Sequence, residues 1–307
     1  MDLAELCADG PVPIDGGLAS ELEARGHDLS GRLWSAQLLV EDPDAIRAVH
    51  EAYFAAGARV AISASYQVSR QAMASVGLAA GAADDALRLS VELAREARAR
   101  SGIDGLLVAA SVGPYGAALA DGSEYRGQYG RTHDELVQFH AERLAVLAGA
   151  DPDLFAVETI PDAFEAAAVI EALAAHPKLP AWITFSCKDD ATTCGGDAFV
   201  DAVRLTASAP SVVAVGVNCT APEHVGALLS AARTVTDLPL VVYPNAGRTW
   251  DAGTREWTGA GADVLPSDEV RAWAAAGAQL IGGCCGLGPR AIEEIAAALS
   301  AGAPFRR

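Results

Sequence analysis

Short apolar runs alternate with alanine-rich stretches along the whole chain. Most of the apolar runs are continuous, which is typical of parallel strands that are buried on both faces. They predict strands at residues 12–14, 59–63, 106–111, 154–157, 181–185, 212–217, 240–243 and 279–281. The stretches between them predict helices at residues 44–56, 84–100, 133–147, 163–175, 198–207, 223–232, 268–276 and 289–299. A long loop is expected between the third strand and the helix that begins at residue 133.

Eight successive strand–helix units predict an α/β fold of the (β/α)8 TIM-barrel type, which usually takes about 250 residues or more. We expect one such domain over residues 1–307. A doubly wound sheet is the main alternative, and it usually carries a phosphate-binding glycine loop after its first strand. Here that position reads Asp15-Gly16-Gly17-Leu18, which lacks the GxGxxG spacing. The barrel is therefore favoured.

Three cysteines stand at the ends of two predicted strands. Cys219 follows the sixth strand, and the adjacent Cys284 and Cys285 follow the eighth. Neighbouring cysteines cannot easily form a disulfide with each other without backbone strain, but both can point at one metal ion. Because barrels gather their active residues at the carboxyl ends of strands, the three thiols are expected to meet. Three thiolates with one open position would make a catalytic zinc site. Three buried, inert cysteines are the alternative.

Two acids also end predicted strands, Asp15 after the first and Glu158 after the fourth. Two carboxylates beside a thiolate site favour recognition of an ammonium group through charge-assisted hydrogen bonds. General acid–base work is a second possibility. A third is a helix N-cap at Asp15 with a structural role for Glu158. Asn218 and Ser65, at the ends of the sixth and second strands, could orient bound groups or simply satisfy turn backbone.

Charge and cysteine usage narrow the choice of partners. The net charge of −18 disfavours nucleic acid and anionic membranes, and no apolar run is long enough to span a bilayer. Six cysteines in a chain of this length do not form a short disulfide framework, which suggests a reducing compartment. The first ten residues contain acids and no long apolar core, so we expect no signal peptide. These features favour a cytoplasmic protein that acts on small molecules.

Short motifs near the predicted strand ends, spread over nearly the whole chain, carry a family resemblance. They are Asp15-Gly16-Gly17-Leu18, Leu33-Trp34-Ser35-Ala36, Ser65-Tyr66-Gln67, Ser111-Val112-Gly113-Pro114-Tyr115-Gly116, Leu119-Ala120-Asp121-Gly122-Ser123-Glu124-Tyr125, Glu158-Thr159-Ile160-Pro161, Gly216-Val217-Asn218-Cys219-Thr220, Tyr243-Pro244-Asn245-Ala246-Gly247 and Gly282-Gly283-Cys284-Cys285. Each motif is weak alone, but in this order the set is highly specific. The chain resembles the homocysteine S-methyltransferases, specifically the short single-domain type that uses S-methylmethionine or S-adenosylmethionine.

The resemblance implies a (β/α)8 barrel with Zn²⁺ held by Cys219, Cys284 and Cys285. It implies that Asp15 and Glu158 hold the amino group of homocysteine. The implied activity is that of an EC 2.1.1 enzyme, which transfers a methyl group from a sulfonium donor to homocysteine and gives methionine.

The chain departs from the family pattern at three places. Gly286-Leu287 stands where the family usually has Arg-Thr, Arg248 where it often has Glu, and Ser63-Ala64 where paired threonines are common. These departures leave the methyl donor and the exact acceptor open, including a selenocysteine-like acceptor and a donor such as betaine or a folate. A non-enzymatic barrel that senses zinc or thiols is a further alternative.

Overall fold

The computed structural model describes residues 2–29, 31, 33, 35–247, 249–251, 256–258 and 261–302. Over these residues the strands are β1 (Val12–Pro13), β2 (Val60–Ile62), β3 (Leu107–Val112), β4 (Leu154–Ile160), β5 (Ala181–Phe185), β6 (Val212–Asn218), β7 (Leu240–Tyr243), β8 (Thr249–Asp251), β9 (Glu256–Thr258) and β10 (Ala278–Ile281). The helices are α1 (Leu3–Leu6), α2 (Leu18–Ala24), α3 (Ser35–Glu41), α4 (Pro43–Ala55), α5 (Arg70–Ser75), α6 (Ala80–Ser101), α7 (Tyr115–Leu119), α8 (His133–Ala148), α9 (Ala163–Leu173), α10 (Phe199–Ala207), α11 (Pro222–Arg233), α12 (Ser267–Ala275) and α13 (Pro289–Gly302).

Eight parallel strands form one sheet in the order β1-β10-β7-β6-β5-β4-β3-β2. Backbone hydrogen bonds join the two ends of this sheet. The amide of Asp15 donates to the carbonyl of Val60 at 3.1 Å, and the amide of Arg59 donates to the carbonyl of Pro13 at 2.8 Å. The sheet therefore closes into the predicted barrel, with each predicted strand and helix present within a few residues of its expected bounds.

Side chains of the barrel strands alternate between two apolar layers, as the pleat requires. In β3, Leu107 and Ala109 belong to the layer inside the barrel, whereas Val108 and Ala110 pack against the surrounding helices. Leu3 and its neighbours in α1 join the inner layer near the starts of the strands. Because apolar side chains fill that end of the barrel, the space for a functional site is at the opposite end, where the strands have their carboxyl ends.

The predicted long loop after β3 is not a plain loop. It contains α7 and a 3₁₀ helix over Ser123–Tyr125. The short helices α1, α2, α3 and α5 and the β8–β9 hairpin were also not predicted, because segments of three to seven residues show too little periodicity to stand out. Among the described helices, none is both long enough and apolar enough to cross a membrane.

Candidate active site

A cavity opens at the carboxyl end of the barrel, and the polar strand ends meet around it. Its lining includes Glu158 and Thr159 from β4, Tyr243 from β7, and all three predicted cysteines. The loop after β1, which begins at Gly16, forms another part of the wall. The cavity thereby brings Glu158 together with the three cysteines, whereas Asp15, Asn218 and Ser65 are sequence neighbours of lining residues and do not line it themselves.

The three cysteines form a compact sulfur cluster. The Sγ atoms of Cys219, Cys284 and Cys285 all lie within 4.8 Å of one another. The Cys219–Cys285 separation is 3.7 Å and the Cys284–Cys285 separation is 3.9 Å, so none of them is in a disulfide. The expectation that these thiols meet is confirmed.

Backbone geometry explains how the cluster is held. A Cβ atom on Gly282 would lie 2.5 Å from the carbonyl oxygen of Asp15, so only glycine allows β10 to approach the end of β1 this closely. Gly286 turns the chain at a φ of +84°, which favours glycine. Cys219 itself has a φ of +46°. A non-glycine residue in this region is strained, and such strain is concentrated at functional sites.

The electrostatics of the cluster favour a shared negative charge. The thiols of Cys284 and Cys285 interact with the sulfur of Cys219 and lower its pKa well below the ordinary value, against the effect of burial. The hydroxyl of Tyr125 lies 3.1 Å from the same sulfur and adds to the effect. The pKa of Cys284 is raised, since its proton is shared with Cys219.

The donor set fits a zinc ion. Ligands at about 2.3 Å from a tetrahedral centre lie about 3.8 Å from one another, and the Cys219–Cys285 and Cys284–Cys285 sulfur separations are 3.7 and 3.9 Å. Soft thiolate sulfur is a preferred ligand of zinc. Within the described residues, these three cysteines are the one group of metal-binding side chains close enough together to share an ion.

Asp15 carries a free acceptor. Its Oδ2 atom accepts a hydrogen bond from the amide of Ile62 at 2.6 Å, and the residue is only 3 % exposed. Its Oδ1 atom is buried and has no hydrogen-bond partner among the described residues. Burial raises the pKa of Asp15, and the charge of Glu158 raises it further. The helix after β1 is capped at Gly17 without a side-chain bond, so the N-cap alternative for Asp15 is wrong.

Glu158 is buried in β4 and accepts a hydrogen bond from the hydroxyl of Ser111. Burial raises the pKa of Glu158 to about 7, although Ser111 and Tyr243 oppose this by hydrogen bonding to the carboxylate. A buried carboxyl group with this pKa gains or loses its charge close to neutral pH. It would be stabilised as a carboxylate by an arriving cation.

Asn218 supports the same strand end. Its Oδ1 atom accepts from the amide of Thr159 at 2.7 Å and from Thr184, while its Nδ2 atom donates to Thr159 Oγ1 at 2.7 Å. The side chain therefore holds the backbone beside Glu158. Thr159 itself has a φ of +61°.

Ser65 ties together the ends of β2 and β3. Its hydroxyl donates to the carbonyl of Ser111 at 2.8 Å and lies 2.8 Å from the hydroxyl of Ser63. The side chain is fully buried. Direct contact of Ser65 or Asn218 with a substrate stays a prediction.

Three cavity residues were not assigned a role from the sequence: Tyr66, Glu124 and Tyr125. Glu124 and Tyr125 lie in the 3₁₀ helix between β3 and α8, not at a strand end. The motif over residues 119–125 contributed to the family resemblance and was the one signal that could have found them. Reasoning from strand ends alone could not have found Glu124 and Tyr125, because it does not consider the loops that fold over the barrel.

The structure describes some of the positions at which the chain departs from the family pattern. Leu287 is fully buried, and its carbonyl accepts hydrogen bonds from the amide of Gly17 and the hydroxyl of Tyr53. The apolar side chain of Leu287 packs beneath the turn that carries the cysteines, and all three sulfur atoms of the cluster are retained. Trp34 and Arg248 lie outside the described residues.

Comparison with known proteins places these features in one family. The family described as Homocysteine S-methyltransferase matches residues 13–299. Homocysteine S-methyltransferase of Escherichia coli is 46 % identical over 295 residues, which cover 92 % of this chain and 94 % of the relative. Homocysteine S-methyltransferase 4 of Zea mays is 46 % identical over 309 residues, covering 95 % and 90 %.

A solved structure agrees with this. The metallated form of the homocysteine methyltransferase MmuM from Escherichia coli superposes with a TM-score of 0.87 at 43 % identity, and the match covers 96 % of this chain and 98 % of that one. A β-glycosidase that is 12 % identical matches with a TM-score of 0.53 and shares the fold alone.

Proposed function

The chain belongs to the homocysteine S-methyltransferase family, and from that premise we propose that it transfers a methyl group from a sulfonium donor to the thiol of homocysteine, giving methionine. The donor is S-methylmethionine or S-adenosylmethionine, with S-methylmethionine preferred. The chain has no nucleotide-type glycine loop after β1, which favours the smaller donor.

One observation carries the proposal. A cluster of three sulfur atoms shares a cavity with Glu158, and Asp15, which directly precedes the cavity residue Gly16, has a buried Oδ1 atom without a partner among the described residues. A thiol amino acid offers both groups that such a site lacks, a sulfur for a metal on the cluster and an ammonium for the carboxylate. The backbone of Asp15 contacts Gly283, next to Cys284, so one small molecule can reach both.

Cys219, Cys284 and Cys285 would hold Zn²⁺, with one position left for the acceptor. Bound there, the metal would lower the pKa of the acceptor thiol, which would favour its thiolate form at neutral pH.

The remaining work falls to the chain's own residues. Asp15 and Glu158 bind the ammonium of homocysteine and so fix its orientation. Asn218 holds the backbone beside Glu158, and Ser65 holds Ser111, whose hydroxyl donates to Glu158. Tyr125 keeps Cys219 in place through its hydroxyl. Positioning of this kind is the main contribution that a protein makes to a displacement between two bound reactants.

The proposed methyl transfer requires no oxidant or reductant. A lone pair of the acceptor sulfur forms a bond to the methyl carbon, and the bond from that carbon to the donor sulfur breaks. The bonding pair stays on the donor sulfur, which changes from a cationic sulfonium to a neutral thioether. The acceptor thiol releases its proton to solvent.

The alternatives have less support. The sensing barrel is suggested by the changes at Gly286-Leu287 and at Arg248. The change at Leu287 is accommodated by packing, and Asp15, Glu158 and the three cysteines are all present. A selenocysteine-like acceptor or a donor such as betaine would use the same sulfur cluster, and the experiment below tests the choice of donor.

A donor screen tests the proposal. Zinc-loaded protein is incubated with homocysteine and, separately, S-methylmethionine, S-adenosylmethionine, betaine and methyltetrahydrofolate, and methionine is quantified by chromatography. We expect methionine with at least one sulfonium donor and none with the other two. Turnover with betaine or methyltetrahydrofolate, and none with either sulfonium, would overturn the donor class.

The partners are small molecules, and we propose no nucleic acid or membrane partner. All six cysteines are free, which suits a reducing compartment such as the cytoplasm. We propose that residues 1–307 form one barrel domain.

A further inference from the structure

Glu124 is a buried acid that the acceptor does not explain. It lines the cavity from the 3₁₀ helix and is 4 % exposed. Its Oε2 atom is buried and has no hydrogen-bond partner among the described residues. A buried carboxylate oxygen without a partner is costly unless a ligand supplies the missing donor.

The position of Glu124 separates it from the acceptor's acids. Glu158 lines the cavity from the end of β4, and its charge acts on Asp15. Glu124 lines the same cavity from the 3₁₀ helix between β3 and α8, and the charges that act on it are those of Asp121 and Cys219. A different element of the structure therefore presents Glu124 to the cavity.

The surroundings of Glu124 suit a cation. Tyr66 and Tyr125 line the same part of the cavity, and the charge of Glu124 acts on Tyr66. A sulfonium centre has no N–H group, so aromatic faces and Coulomb attraction can recognise it but a hydrogen bond cannot. The α-ammonium of an amino-acid sulfonium does have the N–H that the free Oε2 atom lacks.

We propose that Glu124 accepts a hydrogen bond from the α-ammonium group of the methyl donor, so that one carboxylate recognises the donor while Asp15 and Glu158 recognise the acceptor. This assignment rests on the proposed function. It makes Glu124 the residue that selects amino-acid sulfonium donors over simple sulfonium compounds.

The test is the KM of each substrate in Glu124→Gln, which preserves the size of the side chain and removes its charge. We expect the KM for S-methylmethionine to rise roughly 10- to 100-fold, the range that corresponds to one charged hydrogen bond. The KM for homocysteine should change less than about twofold. Asp15→Asn should give the opposite pattern, and Glu124→Asp should recover part of the donor affinity.

Two matched controls sharpen the result. Glu92→Gln makes the same chemical change on an exposed side chain of α6 that does not line the cavity, so it should leave the donor KM unchanged. Dimethylsulfoniopropionate, a sulfonium without an amino group, should be used about equally poorly by the wild type and by Glu124→Gln. An equal loss with both donors, or a loss confined to homocysteine, would overturn the assignment.

Binding without turnover separates this inference from the proposed function. Calorimetric titration of S-methylmethionine into zinc-loaded wild type and Glu124→Gln, without homocysteine, should show the same fold-change in Kd. If wild type binds the donor but no methionine forms, the proposed function fails while the role of Glu124 is still decided. Equal Kd values, or no binding to wild type, would refute the role of Glu124.

Discussion

Glu124 and Glu158 line the cavity and Asp15 directly precedes the lining residue Gly16, but the hydrogen bonds of these three carboxylates differ. Glu158 accepts from Ser111, whereas Asp15 and Glu124 each keep one buried oxygen without a partner in the described structure. The two unpartnered oxygens mark places where a substrate must supply a donor. Because each proposed substrate carries one α-ammonium group, the two unpartnered oxygens match the two ammonium groups to be bound.

The buried Glu158 should make stability depend on pH. Its pKa is about 7 in the folded protein, against 4.5 for an ordinary glutamate. Between these values the folded state holds a proton that the unfolded state has released, so this contribution to stability is present below pH 4.5 and is lost as pH rises through 7. Glu158→Gln, which cannot ionise, should be close to wild type at pH 5 and more stable by roughly 2–3 kcal/mol at pH 8.

Urea unfolding of the metal-free proteins at the two pH values measures this difference. Glu92→Gln is a suitable control, because Glu92 is exposed on α6 and its substitution should have the same small effect at both pH values. A Glu158→Gln effect that is equal at pH 5 and pH 8 would show that Glu158 is ionised throughout, and the burial argument would fail.

At the scale of single residues, the sequence is informative about positions at the carboxyl ends of the strands, where barrels gather their active residues. Asp15, Glu158 and the three cysteines follow apolar runs, so parallel strands were bound to carry them to one edge. The tyrosine hydroxyl beside Cys219 could not be predicted in this way. Tyr125 reaches the sulfur from a loop whose path depends on packing against β4, and packing is not encoded in a local pattern.

At the scale of elements, α8 holds the loops that shape the cavity. The guanidinium of Arg143 is buried and donates to the carbonyls of Val68, Gly113, Ser65 and Tyr66 at 2.7–3.1 Å. These carbonyls belong to the segments that follow β2 and β3. One side chain thus fixes two loops, including the one that carries Tyr66 into the cavity.

Arg143→Met should therefore loosen both loops. Several buried carbonyls would lose their donor, and we expect a loss of about 2–4 kcal/mol in the free energy of unfolding. The KM for the donor should rise as well, because Tyr66 would be less well placed. Arg88→Met is the control, since Arg88 is exposed on α6 and should change stability by less than about 0.5 kcal/mol. Equal stabilities of the two variants would contradict the proposed anchor.

Element prediction worked for long, regular segments and failed for short ones. The eight barrel strands and their following helices were found because continuous apolar runs and 3.6-residue periodicity are strong signals. The segment after β3 was expected to be a loop, but α7 is a helix whose residues Tyr115–Ala118 are all buried. A five-residue helix without alternating polar positions carries no periodic signal.

At the scale of the whole molecule, the barrel owes its closure and its core to apolar packing and backbone hydrogen bonds. The inner layer fills the barrel from the starts of the strands, and the outer layer joins the sheet to the helices. The sulfur cluster lies at one rim and belongs to the ends of β6 and β10 only. The fold should therefore form without the metal, unlike a small zinc domain whose folding free energy is the metal's binding free energy.

Removal of the metal should separate activity from folding. After chelation we expect methyl transfer to homocysteine to fall below detection and the far-UV circular dichroism to stay close to that of the zinc-loaded protein, with activity restored by added zinc. Cys219→Ser should lose zinc affinity and activity, since a hydroxyl is a poor ligand for zinc at neutral pH. Cys7→Ser is the matched control, because Cys7 is a buried cysteine outside the cluster whose thiol interacts with the carbonyl of Gln279.

Metal-free protein that methylated homocysteine at the full rate would contradict the proposed role of the cluster. Loss of the circular dichroism signal on chelation would instead mean that zinc supports the fold, and the separation of rim from core argued from the packing would be wrong.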